Sequence, residues 1–271
     1  MFKLTLSVAL LTLIESAVVF GNDIDVYYSR GDVIVRGDSD GNDLEIRRVH
    51  SSVHQFRGLN GTTINGSSEP LFLPIQDDLR MWMLGGNDFV DIRSLYLRST
   101  THADLIIELG SGDDEILLRT GNVRRDVKIS DDFLLRGNDT ISVRNCNANS
   151  IDVETQGSAH IGVVYNNCSW IAIESGAEGS DFISVVGNEA GLIDINASNE
   201  NDELILVGND VAGGFLSVSL NDGNDSAKLS VNVLNRTNTM IDGGDGMDFG
   251  SGFDEYQWPW WGNVNIVNFE F

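Results

Sequence analysis

The sequence predicts an all-β protein, a right-handed parallel β-helix (β-solenoid) of about ten coils with an internal ladder of asparagines. Two observations predict this fold together. An aspartate that follows a glycine-rich turn recurs along the chain, and an asparagine that follows a strand recurs at about the same spacing. Short segments in which apolar and polar residues alternate lie between them, as in strands with one buried face.

The aspartate series begins near residue 43 and its steps are 45, 26, 25, 42, 21, 23 and 23 residues. Its members are Asp43, Asp88, Asp114, Asp139, Asp181, Asp202, Asp225 and Asp248. The two largest steps are close to two periods, which predicts missing members near Asn65–Gly66 and Gly157–Ser158. The unit therefore has about 21–26 residues and occurs roughly ten times.

The asparagine series falls about seven residues after the aspartate turn, with steps of 23, 22, 21, 21 and 23 residues. Its members are Asn122, Asn145, Asn167, Asn188, Asn209 and Asn232. In stacked coils these side chains form a ladder in which each amide donates to the next.

Each unit carries two alternating strands, for example Phe182–Val185 and Ile193–Ile195, on either side of the asparagine. A single unit cannot bury its apolar row, so units must stack on one another. An antiparallel sandwich also gives strands about every ten residues, but it does not explain why Asp and Asn recur at one phase. The solenoid is the preferred prediction, with layers about 4.8 Å apart.

The chain divides into three segments. Residues 1–21 are predicted to be a signal peptide, because Lys3 precedes an apolar run from Leu4 to Ile14 and Glu15 leaves that run too short to span a bilayer. Residues 22–257 form the repeat domain, whose first part, Asn22–Val35, is the first coil or its cap. Residues 258–271 are rich in tryptophan and are expected to depart from the repeat, 264–269 included, and to be an aromatic cap over the last coil, or alternatively a platform for sugar rings.

The two cysteines, Cys146 and Cys168, are 22 residues apart, which is one period. Stacked coils bring such positions within reach of a disulfide. The local register has two alignments, so a disulfide and two stacked thiols remain alternatives.

Composition limits the partners. The chain has 271 residues and a formal net charge of −24, so it repels nucleic acids and anionic membranes and attracts cations. No nucleic-acid partner and no membrane span after signal cleavage are expected. The charge is also consistent with a solvated, self-repelling surface that has no dedicated role.

The glycine turn has a chemical interpretation. Glycine permits the left-handed backbone of a tight corner, and an aspartate beside it repeats at every layer, so like charges repel at close range. Calcium binds six to eight hard oxygens and would neutralise them. The candidate metal ligands are Asp43, Asp88, Asp113, Asp114, Asp139, Asp181, Asp202, Asp225, Asp245 and Asp248. The alternative is that each aspartate only accepts backbone hydrogen bonds in its turn.

The turns resemble the haemolysin-type, or RTX, calcium-binding repeats of secreted bacterial proteins, whose unit is GGxGxDxUx. Gly110, Gly112, Asp114 and Ile116 match this unit from its second glycine onward. The second half of the unit is matched by 86–90, 137–141 and 179–183, and the front half by 243–248. The resemblance covers about residues 38–254 and implies calcium between successive turns. RTX repeats recur every nine residues, however, whereas this chain has one such turn per about 22 and is similar in period to right-handed parallel β-helices.

Parallel β-helices include polysaccharide lyases that use an Arg or Lys as base. The candidates of that kind here are Arg124, Arg125, Lys128 and Arg136, and the four histidines His50, His54, His102 and His160 are scattered. None lies in a recognisable catalytic motif. The expected function is a secreted, non-catalytic structural or adhesive module at the cell surface with an acidic calcium-binding edge. The alternatives are a calcium-dependent module that binds carbohydrate, such as polysaccharide, or cell-surface components, and then a polysaccharide lyase.

Overall fold

The fold was analysed in a computed structural model that describes residues 22–99, 101, 103–131, 137–176, 178–211, 214–230, 232, 234, 238–252 and 264–269. All regular structure in these ranges is β, and the strands stack in parallel as a β-solenoid. The predicted signal peptide and Trp258–Trp261 of the predicted cap lie outside the described residues.

The N-terminal part contains seven strands, and the antiparallel strand pairs found in the described residues all lie in it. They are β1 (Asp23–Ser29), β2 (Asp32–Arg36), β3 (Asp43–His50), β4 (Val53–Gly58), β5 (Thr63–Ile64), β6 (Leu71–Pro74) and β7 (Leu79–Trp82).

The first stack of parallel strands begins with β3. It continues with β8 (Phe89–Leu97), β10 (Glu115–Val123), β12 (Asn138–Asn147), β14 (Ser158–Val164), β16 (Phe182–Val186), β18 (Glu203–Val207), β21 (Ser226–Ser230) and β24 (Phe249–Ser251). One strand of this stack occurs in each coil.

The second stack begins with β2 and β7. It continues with β9 (Leu105–Glu108), β11 (Asp126–Ser130), β13 (Ser150–Thr155), β15 (Asn167–Ser175), β17 (Glu189–Asn196), β19 (Phe215–Ser219), β22 (Asn238–Asp242) and β25 (Val264–Val267). A small separate pair in the turns joins β20 (Asp222–Gly223) to β23 (Asp245–Gly246).

The core lies between the two stacks and consists of their inward residues, such as Ile116, Leu118, Val127 and Ile129 in one coil. These positions alternate with outward ones, as the period-2 pattern predicts. About seven coils, from β8–β9 to β21–β22, run without interruption, so the coil count is smaller than the ten predicted. The handedness of the solenoid stays a prediction.

The prediction of a repeat unit without an aspartate near Asn65–Gly66 is wrong. The register pairs Asp43 directly with Phe89, so β3 and β8 are adjacent layers although 46 residues separate these two positions. The intervening chain turns back as β4, which pairs antiparallel with β3, and β1 pairs antiparallel with β2. These strands cover the outer edges of the first coil, where unpaired backbone groups would otherwise be exposed.

The step of 42 residues from Asp139 to Asp181 spans two layers, as predicted. The intermediate layer is β14, in which Ala159 occupies the position between Asp139 and Asp181. At the other end, 264–269 was expected to depart from the repeat, and this expectation is wrong for β25, which pairs in parallel with β22 as the last layer of the second stack. Within the residues described, no helix has the length and apolar character that crossing a bilayer demands.

Candidate functional site

The glycine-rich turns connect the second stack to the first, and successive turns lie against each other. Gly86 has a φ of 91°, and a Cβ atom there would lie 2.3 Å from the backbone nitrogen of Gly41. Gly112 has a φ of 129°, and its Cβ would lie 2.0 Å from the carbonyl oxygen of Gly86. The turns need glycine both for the left-handed backbone and for the close approach of neighbouring layers.

The aspartates after these turns point inward and form what we call the aspartate ladder. Its members, Asp88, Asp114, Asp139, Asp181, Asp202, Asp225 and Asp248, are at most 3% exposed. Each carboxylate Oδ1 accepts a hydrogen bond of 2.7–3.0 Å from the backbone N–H at the same position of the preceding coil. The ladder thus forms runs of three and of four rungs, separated by Ala159.

The residue before each ladder aspartate forms a second, exposed column. Asn87 accepts from the backbone N–H of Asp113 at 3.0 Å, and Asp113 accepts from that of Asn138 at 2.8 Å. Asn201 and Asn224 repeat the pattern further along, with a bond of 2.8 Å. The recurrent Asn-Asp pair therefore contributes to two adjacent ladders. Its first residue forms hydrogen bonds at the surface, and its second residue forms them inside.

The second carboxylate oxygen distinguishes the inner ladder. The Oδ2 atoms of Asp88, Asp114, Asp139, Asp181 and Asp225 are buried and have no hydrogen-bond partner among the described residues. Burial raises the pKa of Asp88 to about 8, that of Asp139 and of Asp202 to about 7, and that of Asp114 and of Asp225 to about 6. The accepted N–H bonds lower these pKa values and neighbouring carboxylates raise them further. A buried carboxyl of this kind favours its protonated form.

Three of the predicted metal ligands lie outside the inner ladder. Asp43 pairs with Phe89, and Asn42 is the rung beside Asp88, so the alignment of Asp43 with the series is wrong by one residue. Asp113 belongs to the exposed column. Asp245 lies opposite Asp222 in the β20–β23 pair.

The arrangement does not fit calcium ligation within the ladder. Calcium needs six to eight oxygens converging at about 2.3–2.6 Å. The ladder carboxylates stand one layer apart, and each uses one oxygen on the backbone. Among the described side chains, no group of three or more His, Cys, Asp or Glu converges as a metal centre requires. Calcium binding stays a prediction that the geometry does not support.

The asparagine ladder is present but shorter than predicted. Asn166, Asn188, Asn209 and Asn232 are 1–2% exposed, and each Oδ1 accepts from the amide of the preceding coil or, for Asn166, from the N–H of Cys146. Each Nδ2 also donates to a backbone carbonyl, those of Val143, Val163, Val185 and Leu206.

Three predicted members of this ladder are wrong. Asn122, Asn145 and Asn167 are exposed. Asn145, with a φ of 53°, is instead one of a series of left-handed residues at the bend, to which Thr120 and Tyr165 also belong. Asn166 takes the place of Asn167 because the register pairs Asn147 with Asn167 and so puts Asn166 beside Cys146.

Both cysteines are free thiols. Cys146 lies in the column of the asparagine ladder, whereas Cys168 lies two positions beyond Asn166 in the next coil. Burial raises the pKa of each thiol to about 12. Of the two alternatives, the structure has buried thiols and no disulfide.

The basic residues considered for catalysis have separate surroundings. Arg125 forms an ion pair of 3.3 Å with Asp104, and Lys128 lies in a small pocket with Asp126, Asp152 and the exposed Trp170. Arg124 is exposed, and Arg136 lies outside the described residues. The structure does not gather Arg125 and Lys128 with the aspartate ladder in one pocket.

The histidines have different roles. His54 is fully buried, with Nδ1 2.9 Å from the carbonyl oxygen of Ser52 and Nε2 accepting from the N–H of Tyr96 at 3.3 Å. Burial lowers the pKa of His54 to about 4, so the ring is neutral and structural. His160 is exposed and stacks on Phe182 at 4.4 Å, and His102 lies outside the described residues.

A cavity of about 900 Å³ at the N-terminal end was not predicted from the sequence. The turn between β3 and β4, the residues that follow β6 and the end of β8 meet there, and Arg48, His50, Tyr96 and Arg98 line it. The signal in the sequence was that residues 47–83 and 93–104 are insertions among otherwise short, regular coils, and that these insertions contain several arginines.

Comparison with known protein families, curated proteins and solved structures finds no match to this chain. The resemblance to RTX repeats therefore rests on the turn residues alone.

Proposed function

We propose that the protein is an exported, non-catalytic rod with a structural or adhesive role outside the cell. The observation that carries this proposal is the use of the repeated polar residues. The aspartates and asparagines that define the repeat are buried and bonded between coils, so the repeat builds a stiff scaffold rather than a reaction centre.

The outward columns support the same function. In the first stack, the aligned outward residues Phe89, Glu115, Thr140, His160 and Phe182 change chemistry from layer to layer, while the inward residues beside them stay aliphatic. A uniformly aliphatic interior combined with a varied exterior suits a scaffold that presents a surface.

Export is tested by fusing residues 1–21 to a reporter protein whose own signal peptide has been removed. We expect the reporter outside the cytoplasm, and we expect Leu10→Arg to retain it, because a charge in the apolar run prevents recognition as a signal. Equal export of both fusions would contradict the proposed signal peptide.

The non-catalytic role is tested with the mature chain, residues 22–271. It is incubated with a panel of neutral and acidic polysaccharides, and pull-down on the insoluble members is measured beside the release of reducing ends and unsaturated products. Retention without product supports an adhesive rod. Steady product release at a rate proportional to protein would overturn the proposal in favour of a lyase or hydrolase.

The calcium-dependent alternative has its own test. Calcium is titrated into the mature chain by calorimetry, and melting temperatures are compared in calcium and in chelator. A ligand that binds only the native state raises the melting temperature, so saturable binding with a higher melting temperature would support calcium sites. No binding at millimolar calcium would leave the aspartates as ladder residues only.

A further inference from the structure

We propose that the N-terminal cavity binds an acidic sugar, with Arg48 and Arg98 holding its anionic group. This inference goes beyond the proposed scaffold role and does not depend on it.

The first observation is the absence of acid from the cavity wall. Arg48, His50 and Arg98 line it together with neutral groups, and no described Asp or Glu does so, although the chain has 41 of these residues. Within the lining, the permanent charges that face an anion are therefore the two guanidinium groups.

The second observation concerns the partners of the arginines. Five arginines in the described residues form ion pairs, namely Arg57, Arg80, Arg93, Arg119 and Arg125. Arg48 and Arg98 form none among those residues. Their guanidinium groups lie instead over the ring of Tyr96, at 4.8 and 5.1 Å from its centroid. The ring orients both groups, and within the described residues no hydrogen bond uses their N–H donors, which can therefore bind a ligand.

The third observation is that hydrogen bonds of a buried histidine hold the cavity wall in place. The buried His54 bonds to Ser52 in the hairpin turn and to the backbone of Tyr96 in β8, so one imidazole ties together two sides of the cavity. Ser94, which also lines the cavity, has a left-handed φ of 56°. A wall held in place before binding reduces the entropy cost of binding.

The lining indicates the class of ligand. Guanidinium groups bind carboxylate, sulfate and phosphate groups through paired N–H bonds. The remaining polar lining is neutral and includes Ser51, Ser94 and Gln76, which suit hydroxyl groups. A volume of about 900 Å³ is within the range of small-molecule sites. An oxyanion on a hydroxylated ring satisfies all three features.

The test titrates the mature chain by calorimetry with glucuronate, glucose 6-sulfate, glucose 6-phosphate, glucose and inorganic sulfate. We expect at least one anionic sugar to bind at least about tenfold more tightly than glucose and than inorganic sulfate, because hydrogen bonds between charged groups are stronger than those to neutral hydroxyl groups, and the hydroxyl groups add contacts that sulfate lacks. The tightest of the three anionic sugars identifies the anionic group.

Variants assign the binding to the cavity. Arg48→Gln and Arg98→Gln should each weaken sugar binding at least about tenfold. Arg48→Lys should weaken it less, because lysine keeps the positive charge but lacks the paired N–H donors of the guanidinium group. Arg36→Gln is the matched control, since Arg36 is exposed, lies outside the cavity lining and carries the same charge. Thermal melts verify that each variant is folded.

Four results would overturn the proposal. Glucose could bind as tightly as its anionic forms, or no anionic sugar could bind. Arg36→Gln could weaken binding as much as Arg48→Gln, which would indicate a general charge effect. Inorganic sulfate could bind as tightly as the sugars, which would leave an ion site without sugar recognition.

Discussion

The aspartate ladder and the asparagine ladder run along two edges of the same solenoid with the same spacing, and they differ in one atom per rung. In both, a side-chain oxygen accepts from the backbone of the preceding coil, as for Asp202 and Asn209. The asparagine then donates its Nδ2 to a carbonyl oxygen, as Asn209 does to Val185 at 2.8 Å. The aspartate has an oxygen where the amide has a donor, and in five rungs that oxygen has no partner among the described residues.

Two columns with the same backbone hydrogen bonding can therefore differ in their electrostatics. The amide ladder is neutral and its hydrogen bonds are satisfied, so its contribution to stability is independent of pH. The carboxyl ladder is satisfied on one side only, and burial favours its protonated form. The pH sensitivity of folding should therefore reside on one edge of the rod.

The largest expected effect is a loss of stability with rising pH. The pKa values of the ladder, about 6 to 8 in the folded chain, lie above the usual aspartate value of about 3.8. The folded state therefore holds more protons than the unfolded state, and stability falls as pH rises through the folded pKa values. Between pH 6.5 and 8.5 we expect a loss of roughly 4 kcal/mol, or about 10 °C in melting temperature, measured in chelator.

The chosen window limits the contribution of His54, whose depressed pKa has the opposite effect below about pH 6.5. The control is the triple variant Asp88→Asn, Asp114→Asn, Asp139→Asn, which should flatten the profile. An unchanged slope in this variant would show that the pH dependence originates elsewhere.

A smaller effect is expected when a carboxyl is placed in the amide ladder. Asn209→Asp removes the donor to Val185 and puts a charge at a position that is 1% exposed. We expect a loss of about 3 kcal/mol at pH 8, measured by urea unfolding, because a buried group is left unsatisfied and a charge is desolvated.

Asn224→Asp is the matched control for that variant. Asn224 belongs to the exposed column, where it bonds to Asn201 and accepts from the N–H of Met247. Water can solvate a carboxylate there, so the change should stay within about 0.5 kcal/mol. Equal losses in the two variants would contradict the distinction between inner and outer columns.

The smallest effect is a gain. Asp114→Asn keeps the oxygen that accepts from Asp88 and removes a carboxyl whose ionised form is disfavoured by burial. At pH 8.5 we expect about 1 kcal/mol of added stability, reduced by the unpaired amide group, and less at pH 5. Asp113→Asn, one residue earlier on the surface, should leave stability nearly unchanged, and urea unfolding at the two pH values distinguishes them.

Local periodicity was enough to predict the solenoid, the stacked aspartates of 88–139 and 181–248, and the layer between Asp139 and Asp181. It failed where two neighbouring residues compete for one position. Asn42 and Asp43, or Asn166 and Asn167, fit the pattern equally well, and only the pairing of whole strands selects between them. A shift of one residue exchanges the inner and outer sides, so these errors reverse burial.

The repeat, the parallel stacking and the need for glycine at the turns were predictable from the amino-acid sequence, because they follow from local spacing and backbone sterics. The inward direction of the aspartates, the folding back of 51–76 over the first coil and the meeting of Arg48 and Arg98 at Tyr96 became visible in the folded chain. These features depend on contacts between residues far apart in the chain. A periodic pattern contains no information about which side of a corner faces solvent, and that orientation separates an internal ladder from an exposed acidic edge.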